Sequence, residues 1–323
     1  MNNPIRLQDL PPTTKSGWPW NVASEPQLPT QADGTLLPKI SIVTPSFNQA
    51  QYLEETIRSV LLQGYPNLEY IIVDGGSTDG SVEIIKKYEP WLAYWVSEKD
   101  SGQSHAINKG FAKSSGEIMA WINSDDYYAK NAFGSVAQAF LQNQTLWVAG
   151  FTHKVNPSGG VIKSGRRRKE KIENWYVGSP YPQQGIFWNR ELWQKAGGLN
   201  EGLQYCFDYD LWLRFVQLQP FAAYVDRHLA NFRIHPHSKS STDKLKFMKE
   251  RHRIYRQFPP EKMSFASRFK VWKRRRERQA RIYMKLDNSA FPMYKKLFFI
   301  LLAAPWFYTR ISFLYWVKKG ILG

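Results

Sequence analysis

Gly116-Glu-Ile-Met-Ala-Trp-Ile-Asn-Ser-Asp-Asp126 is the stretch on which the reading of this chain turns. Gly116 to Ile122 is an apolar run of strand length, and it stops at two adjacent carboxylates. A strand ending this way sets hard oxygen ligands at the edge of a sheet, where a divalent cation and a diphosphate can meet. Neighbouring carboxylates repel, and they stay ionised together only beside a cation, beside a basic partner or in full solvation. Alone, such a pair is ordinary turn chemistry. Its meaning depends on what surrounds it.

Upstream, the apolar periodicity alternates between two kinds. Ile40 to Thr44 reads as a strand, and the apolar spacing of Gln49 to Gln63 predicts a helix. Leu68 to Val73 is a second strand, Ser81 to Tyr88 a helix, Leu92 to Ser97 a third strand and Gln103 to Lys113 a helix. After the acidic pair come a helix over Ala132 to Leu141 and a strand over Leu146 to Gly150. Strands alternating with helices through short connections predict an α/β fold with a mostly parallel sheet covered on both faces. Ligands of such sheets bind beyond the carboxyl ends of the strands. Four polar clusters fall there: Thr44 to Asn48, Asp74 to Gly80, Glu98 to Gln103 and Asn123 to Asp126. No GxGxxG follows the first strand and no GxxxxGK[ST] occurs, so neither a dinucleotide cradle nor a P-loop is present. A nucleotide would need other contacts: Phe47 stacking on a base, Asp74 accepting from a base N–H, and a cation on Asp125 and Asp126 neutralising the diphosphate.

From Phe151 to His237 the alternation is lost, and the segment reads as an insertion completing a pocket over the sheet edge. Tyr181 to Trp188 reads as an extended segment leading into a helix over Arg190 to Lys195, closed by Gly197-Gly198. Phe207 to Val216 reads as another helix. Its Asp208 is either a cap of the first turn or a carboxylate at the pocket rim acting as general base, while Asp210 is spaced to pair with Arg214. His235, in an extended Arg-x-His-Pro stretch, is within reach of a metal or a diphosphate.

The 323 residues, 43% hydrophobic and 15% aromatic, are ample for a core. A single cysteine excludes an internal disulfide framework, and the first thirty residues lack the basic start and apolar stretch of a signal peptide, so the body is expected in the cytoplasm. The net charge of +17 is unevenly spread: residues 1–238 hold 22 Lys+Arg and 22 Asp+Glu, whereas residues 239–323 hold 22 and 5. A smaller basic knot spans Lys163 to Lys171. Proline-rich residues 1–38 read as an extended arm whose Trp18-Pro-Trp20 docks on the body. Residues 39–240 form the main domain, divided into a nucleotide-binding half over 39–150 and an acceptor-side half over 151–240. Residues 241–323 form a basic, aromatic-rich helical tail. Within it, 291–323 mixes apolar clusters with basic residues, and its longest uncharged run, Leu297 to Thr309, is 13 residues and too short to span a bilayer. This pattern fits an interfacial anchor on an anionic membrane surface, at the inner face of the cytoplasmic membrane; nucleic acid is not the expected partner.

In this order, Ile-Val-Thr-Pro-Ser-Phe-Asn-Gln, Val-Asp-Gly-Gly-Ser-Thr-Asp-Gly-Ser, Asn-Ser-Asp-Asp and Phe-Asp-Tyr-Asp-Leu-Trp-Leu-Arg resemble the inverting glycosyltransferase family 2 enzymes of GT-A fold, over about Pro38 to Ser240. The resemblance implies a nucleotide-diphosphate sugar donor, Mn²⁺ or Mg²⁺, and a glycan or polyprenyl-linked acceptor, in the manner of bacterial surface-polysaccharide synthesis. It implies that Thr44, Phe47 and Asp74 line the base and ribose pocket, with Asp100 of the third cluster among the donor-binding residues. Asp125 would touch ribose or diphosphate, Asp126 would be the principal metal ligand, and His235 would complete the metal site. Asp208 would be the base in the second place of a Glu-Asp pair, whose first place is Phe207 here. Gln183, Gln184 and Trp188 would face the acceptor. The alternative from another class is a catalytically silent nucleotide-sugar scaffold with a membrane- or RNA-binding basic tail.

Overall fold

The computed structural model describes residues 4–165, 169–220, 222–236, 244–261 and 263–284. The proposed anchor at 291–323 and the arginines of the basic knot lie outside these residues. Two compact units divide the chain: one holds the residues through Glu170 together with Tyr181–His235, the other Lys171–Pro180 together with the residues from Pro236 onward. The second boundary therefore falls a few residues before the expected position 240, and residues 4–38 belong to the first unit.

In the first unit, β1 (Ile40–Ser46), α1 (Ala50–Leu61), β2 (Leu68–Asp74), α2 (Ser81–Tyr88), β3 (Tyr94–Ser97), α3 (Gln103–Ala112) and β4 (Ile118–Trp121) follow the expected alternation. Then come β5 (Tyr127–Tyr128), α4 (Ala132–Asn143), β6 (Trp147–Val155) and β7 (Val161–Lys163). One sheet runs β3-β2-β1-β4-β8-β6-β9-β5, with β8 at Ile186–Asn189 and β9 at Ala223–Arg233, and β7 pairs with β6. β1 pairs in parallel with β2 and β4, and β2 with β3, so their carboxyl ends share one edge. All seven residues of β1 are buried, and since successive side chains point to opposite faces, both faces of the sheet are covered there. Gly110 of α3 allows that helix to sit against β1, because a Cβ there would meet Val43 Cγ1 at 2.5 Å.

The expected insertion after Phe151 is instead part of the sheet. β6 runs nine residues to Val155, β8 lies antiparallel between β4 and β6, and β9 runs parallel to β6 and antiparallel to β5. The helices α6 (Arg190–Ala196) and α7 (Phe207–Leu218) lie between β8 and β9 in sequence, and Gly197 and Gly198 close α6 at φ of 80° and 73°. The amino-terminal arm is held by α1: Arg58, 1% exposed, donates to the carbonyls of Pro11, Pro19 and Trp20, while Trp18 Nε1 donates to the Tyr128 carbonyl at 2.8 Å. The second unit contains α5 (Ile172–Trp175), α8 (Lys244–Gln257) and α9 (Phe265–Met284). Among the described residues no helix is long and apolar enough to cross a membrane.

Candidate active site

The four polar clusters meet at the carboxyl edge of the parallel strands and are wired together. Asn48, at a φ of 51°, takes Ser77 Oγ on its N–H and Thr78 N–H on its side-chain oxygen, joining the first cluster to the second. Asp79 accepts from Ala50 N–H at the start of α1. Glu98 N–H donates to the Asp74 carbonyl at 3.0 Å, joining the second to the third, and Gln103 Nε2 donates to Asn123 Oδ1 at 2.7 Å, joining the third to the fourth.

Within this edge the expected residues have unequal access. Phe47 is 59% exposed, and a Cβ on Gly75 would lie 3.3 Å from its ring and 2.9 Å from Asp100 Oδ2. Phe47, Gly75 and Asp100 therefore share one surface, with Asp100 Oδ1 anchored by Gly102 N–H at 2.7 Å. Asp74 and Thr44 do not belong to that surface. Asp74 is fully buried, and its carboxylate accepts from the N–H groups of Gly76 and Ser77, from Ser77 Oγ and from Ser97 Oγ; it builds the turn instead of offering an oxygen to a base. Thr44 is fully buried too, its hydroxyl 3.0 Å from that of Tyr70 in the core.

The acidic pair splits in the same way. Asp126 is fully buried, with Oδ1 accepting from Arg233 N–H at 2.8 Å and Oδ2 from Gln184 Nε2 at 2.5 Å and Asn123 Nδ2 at 3.2 Å. Burial first, and the neighbouring Asp125 charge second, push its pKa well above the usual carboxylate range. Such a carboxyl is a keystone of the turn and does not fit the part of principal metal ligand. Asp125 does: its side chain is 18% exposed, and its Oδ2 lies 2.9 Å from His235 Nε2. Asp125 and His235 are thus brought together by β4 and β9, strands more than a hundred residues apart. His235 also packs on Tyr52 of α1, ring centroids 5.1 Å apart.

Arg233, which carried no expectation, ties this corner down. Its guanidinium donates to the Asp125 carbonyl at 2.9 Å, the Pro157 carbonyl at 2.5 Å and Glu55 Oε2 at 2.7 Å, and lies over the rings of Tyr52 and Tyr127 at 4.6 and 5.1 Å. The only sequence signal for it was its place two residues before His235.

Asp208 is partly exposed in the first turn of α7, where Tyr209 N–H donates to its Oδ1; the N-cap of the helix is Cys206, which makes no side-chain cap. The start of α7 reaches the same edge: the Phe207 ring is 6.3 Å from Trp121 at the end of β4, and Gln204 Oε1 is 3.4 Å from a Cβ position on Gly102. Asp210 pairs with Arg214 at 2.7 Å, as its spacing predicts. Of the expected acceptor residues, Gln183 and Gln184 are buried beside the acidic turn, donating to the Trp121 carbonyl and to Asp126, and the Oε1 of each is without a partner among the described residues. Trp188 is no part of the site. It is fully buried, between Met119 and Trp147 of the flanking strands, with its ring 5.4 Å from Trp121 and 5.6 Å from Trp212.

Comparison with known proteins gives the fold class and the family. By fold, the chain is of the GT-A class: it superposes on Staphylococcus aureus TarS 1-349 in complex with UDP-GlcNAc at a TM-score of 0.65, with 17% identity over 82% of this chain and 79% of that one. It also superposes on the mannosyltransferase PcManGT from Pyrobaculum calidifontis, in complex with GDP-Man and Mn²⁺, at 0.58, with 18% identity over 94% and 83%. The model of glycosyl transferase family 2 matches residues 41–193. An uncharacterized glycosyltransferase of Rickettsia typhi is 30% identical over 64% of this chain and 68% of its own length, and one of Mycobacterium tuberculosis is 40% identical over 56% and 70%. The chondroitin synthase of Pasteurella multocida is 28% identical over 57% of this chain and 20% of its own length. The chain belongs to glycosyl transferase family 2 and is a glycosyltransferase.

Proposed function

We propose that this enzyme moves a sugar, with inversion, from a nucleoside-diphosphate sugar to an acceptor hydroxyl in the synthesis of a surface polysaccharide or a lipid-linked glycan. The observation that carries the reading is the Asp125–His235 pair at 2.9 Å on the carboxyl edge of the sheet. The carboxylate oxygen suits Mn²⁺ or Mg²⁺, and the imidazole nitrogen that close to it favours Mn²⁺ over the harder Mg²⁺. Among the described residues no third side chain of this kind joins them, so the donor diphosphate and water would fill the remaining positions. A cation there would neutralise negative charge growing on the leaving diphosphate. The naming of Mn²⁺ in the similar mannosyltransferase structure and of a polysaccharide product in the chondroitin synthase supports the reading.

The chain's own groups divide the remaining work. Phe47 offers a face for a base, and Asp100 replaces Asp74 as the carboxylate facing it, because Gly75 leaves room for Asp100 Oδ2 where a side chain would otherwise stand. Asp208 takes the proton from the acceptor hydroxyl, the acceptor oxygen attacks the anomeric carbon, and the bond from that carbon to the diphosphate oxygen breaks on the opposite face. The Gln183 and Gln184 side-chain amides support this edge by donating to the Trp121 carbonyl and to Asp126 Oδ2.

Asp208→Asn tests the assignment of the base. It keeps the shape of the residue and removes its basicity, so donor binding by calorimetry should stay within about twofold while transfer falls by about 10²–10⁴. Transfer at the native rate would move the base elsewhere.

A further inference from the structure

The second unit carries a surface that the transferase site does not use. One side of α9 packs against residues 171–180 and the loop after α8: Val271 is fully buried, Arg274 donates to Asn174 Oδ1 at 2.6 Å, and Arg278 donates to the Val177 carbonyl at 3.2 Å. Arg275 donates to the carbonyls of Tyr176, Tyr255 and Phe258 at 2.7–3.0 Å. The opposite side carries Phe265, Phe269 and Trp272, four and three residues apart and so in line along the helix. They are 83%, 55% and 43% exposed. Phe269 and Trp272 are stacked with centroids 5.6 Å apart, and the Arg276 guanidinium lies 5.8 Å from the Trp272 ring. The helix holds eight Lys and Arg against one Glu, and Arg268 and Lys270 are exposed beside the ridge.

We propose that this aromatic ridge docks on an anionic lipid bilayer, with the three rings at the headgroup boundary and the neighbouring basic side chains on lipid phosphates. The charge of the helix is complementary to such a surface, and each Lys or Arg near it adds attraction that salt weakens. Rings in a single file with cations on their flanks suit a helix lying in the plane of an interface, where long basic side chains keep their heads among the headgroups. A single-stranded nucleic acid is a poorer match, since it binds by slotting bases against separate rings and Phe269 and Trp272 already stack on each other. Docking here stands apart from the transferase reading and holds or fails without it.

The test is co-sedimentation of the full chain with vesicles of phosphatidylcholine, with and without phosphatidylglycerol. Binding should require phosphatidylglycerol and weaken with salt, and the triple change Phe265→Ser, Phe269→Ser, Trp272→Ser should lower partitioning about tenfold or more while leaving the melting temperature and donor hydrolysis unchanged. As a second readout, an environment-sensitive fluorophore on Phe269→Cys, the native Cys206 being buried, should shift to the blue with anionic vesicles. Native-like partitioning of the triple variant overturns the proposal. So does a probe that responds to single-stranded RNA, or to protein concentration without lipid, but not to vesicles.

Discussion

Arg233→Met is the most informative single perturbation of the first unit. The replacement keeps an unbranched stem in a side chain that is 2% exposed and removes three donated hydrogen bonds, to Glu55, the Asp125 carbonyl and the Pro157 carbonyl. Hydrogen bonds from a charged donor contribute about 1.5–3 kcal/mol each, but they share one guanidinium and are not additive. Glu55 keeps 17% side-chain exposure and can partly rehydrate. The cost of breaking a buried ion pair by removing one partner, about 3–5 kcal/mol, is therefore the better guide. Arg233 N–H still reaches Asp126 Oδ1 in the variant, so the keystone stays and the main loss is the hold on the Asp125 carbonyl. Urea unfolding should show a loss of about 3–5 kcal/mol, and donor hydrolysis at a temperature where the variant is folded should fall at least about tenfold, since an ångström of misplacement at a reacting centre costs that much or more. Glu55→Gln keeps an acceptor for Arg233 and should cost only about 1–2 kcal/mol. A variant within about 1 kcal/mol of native and with native hydrolysis would refute the view that Arg233 fixes the corner, because no mechanism for a large loss would then remain.

Three further outcomes follow from the same geometry. Gly75→Ala puts a methyl 2.9 Å from Asp100 Oδ2 and 3.3 Å from the Phe47 ring; calorimetry should show nucleoside-diphosphate binding weakened about tenfold with stability changed by less than about 1 kcal/mol. Trp188→Ala should cost about 3–5 kcal/mol in urea unfolding, as large-to-small changes in a packed core do, and a loss under about 1 kcal/mol would contradict its place in the ring cluster with Trp121 and Trp212. His228, next to His153 at a ring separation of 4.0 Å, has its pKa lowered from 6.5 to about 4, by burial first and then by the His153 charge. Between those values the unfolded chain binds a proton that the native one does not, so stability falls as pH drops from about 6.5 towards about 4. Partial solvent access holds the loss to about 1–2 kcal/mol, and His228→Gln should flatten it in thermal melts taken at pH 7 and pH 5.

The first half of the fold could be read from the sequence because each of its strands and helices has its own period; β1, β2 and β3 pair in the order of the chain, whereas β4 crosses back to lie beside β1. The four clusters fell on one edge for the same reason. The second half depends on pairing between distant strands. β8 is buried on both faces between β4 and β6, so Ile186 to Trp188 show no alternation that would mark which side chain faces a ligand; Trp188 consequently looked available and is core. β9 takes its place beside β6 through eight of its eleven residues, from Ala223 paired with Val148 to Arg233 paired with Val155, with two shifts of register between. Inside the site, adjacent residues such as Asp125 and Asp126 have the same chemistry in sequence and differ only in who donates to them. Arg233 N–H, Gln184 and Asn123 claim the second and leave the first open to His235. Asp74 likewise has the composition of a ligand-binding residue, and its own turn consumes it. The spacing of Asp210 and Arg214, by contrast, was sufficient by itself, since a helix brings positions four apart together whatever surrounds them.

The central claim is that Asp125 and His235 together seat a divalent cation that holds a donor diphosphate. Isothermal titration of the full chain with UDP and with GDP, each with and without Mn²⁺, tests it most directly when the native protein is compared with Asp125→Ala, His235→Ala and Asp126→Asn. The account predicts Mn²⁺-dependent binding of one nucleotide that disappears in the first two variants and survives in the third wherever the third is folded. Binding indifferent to Mn²⁺, or binding that persists undiminished without Asp125 and His235, would contradict it.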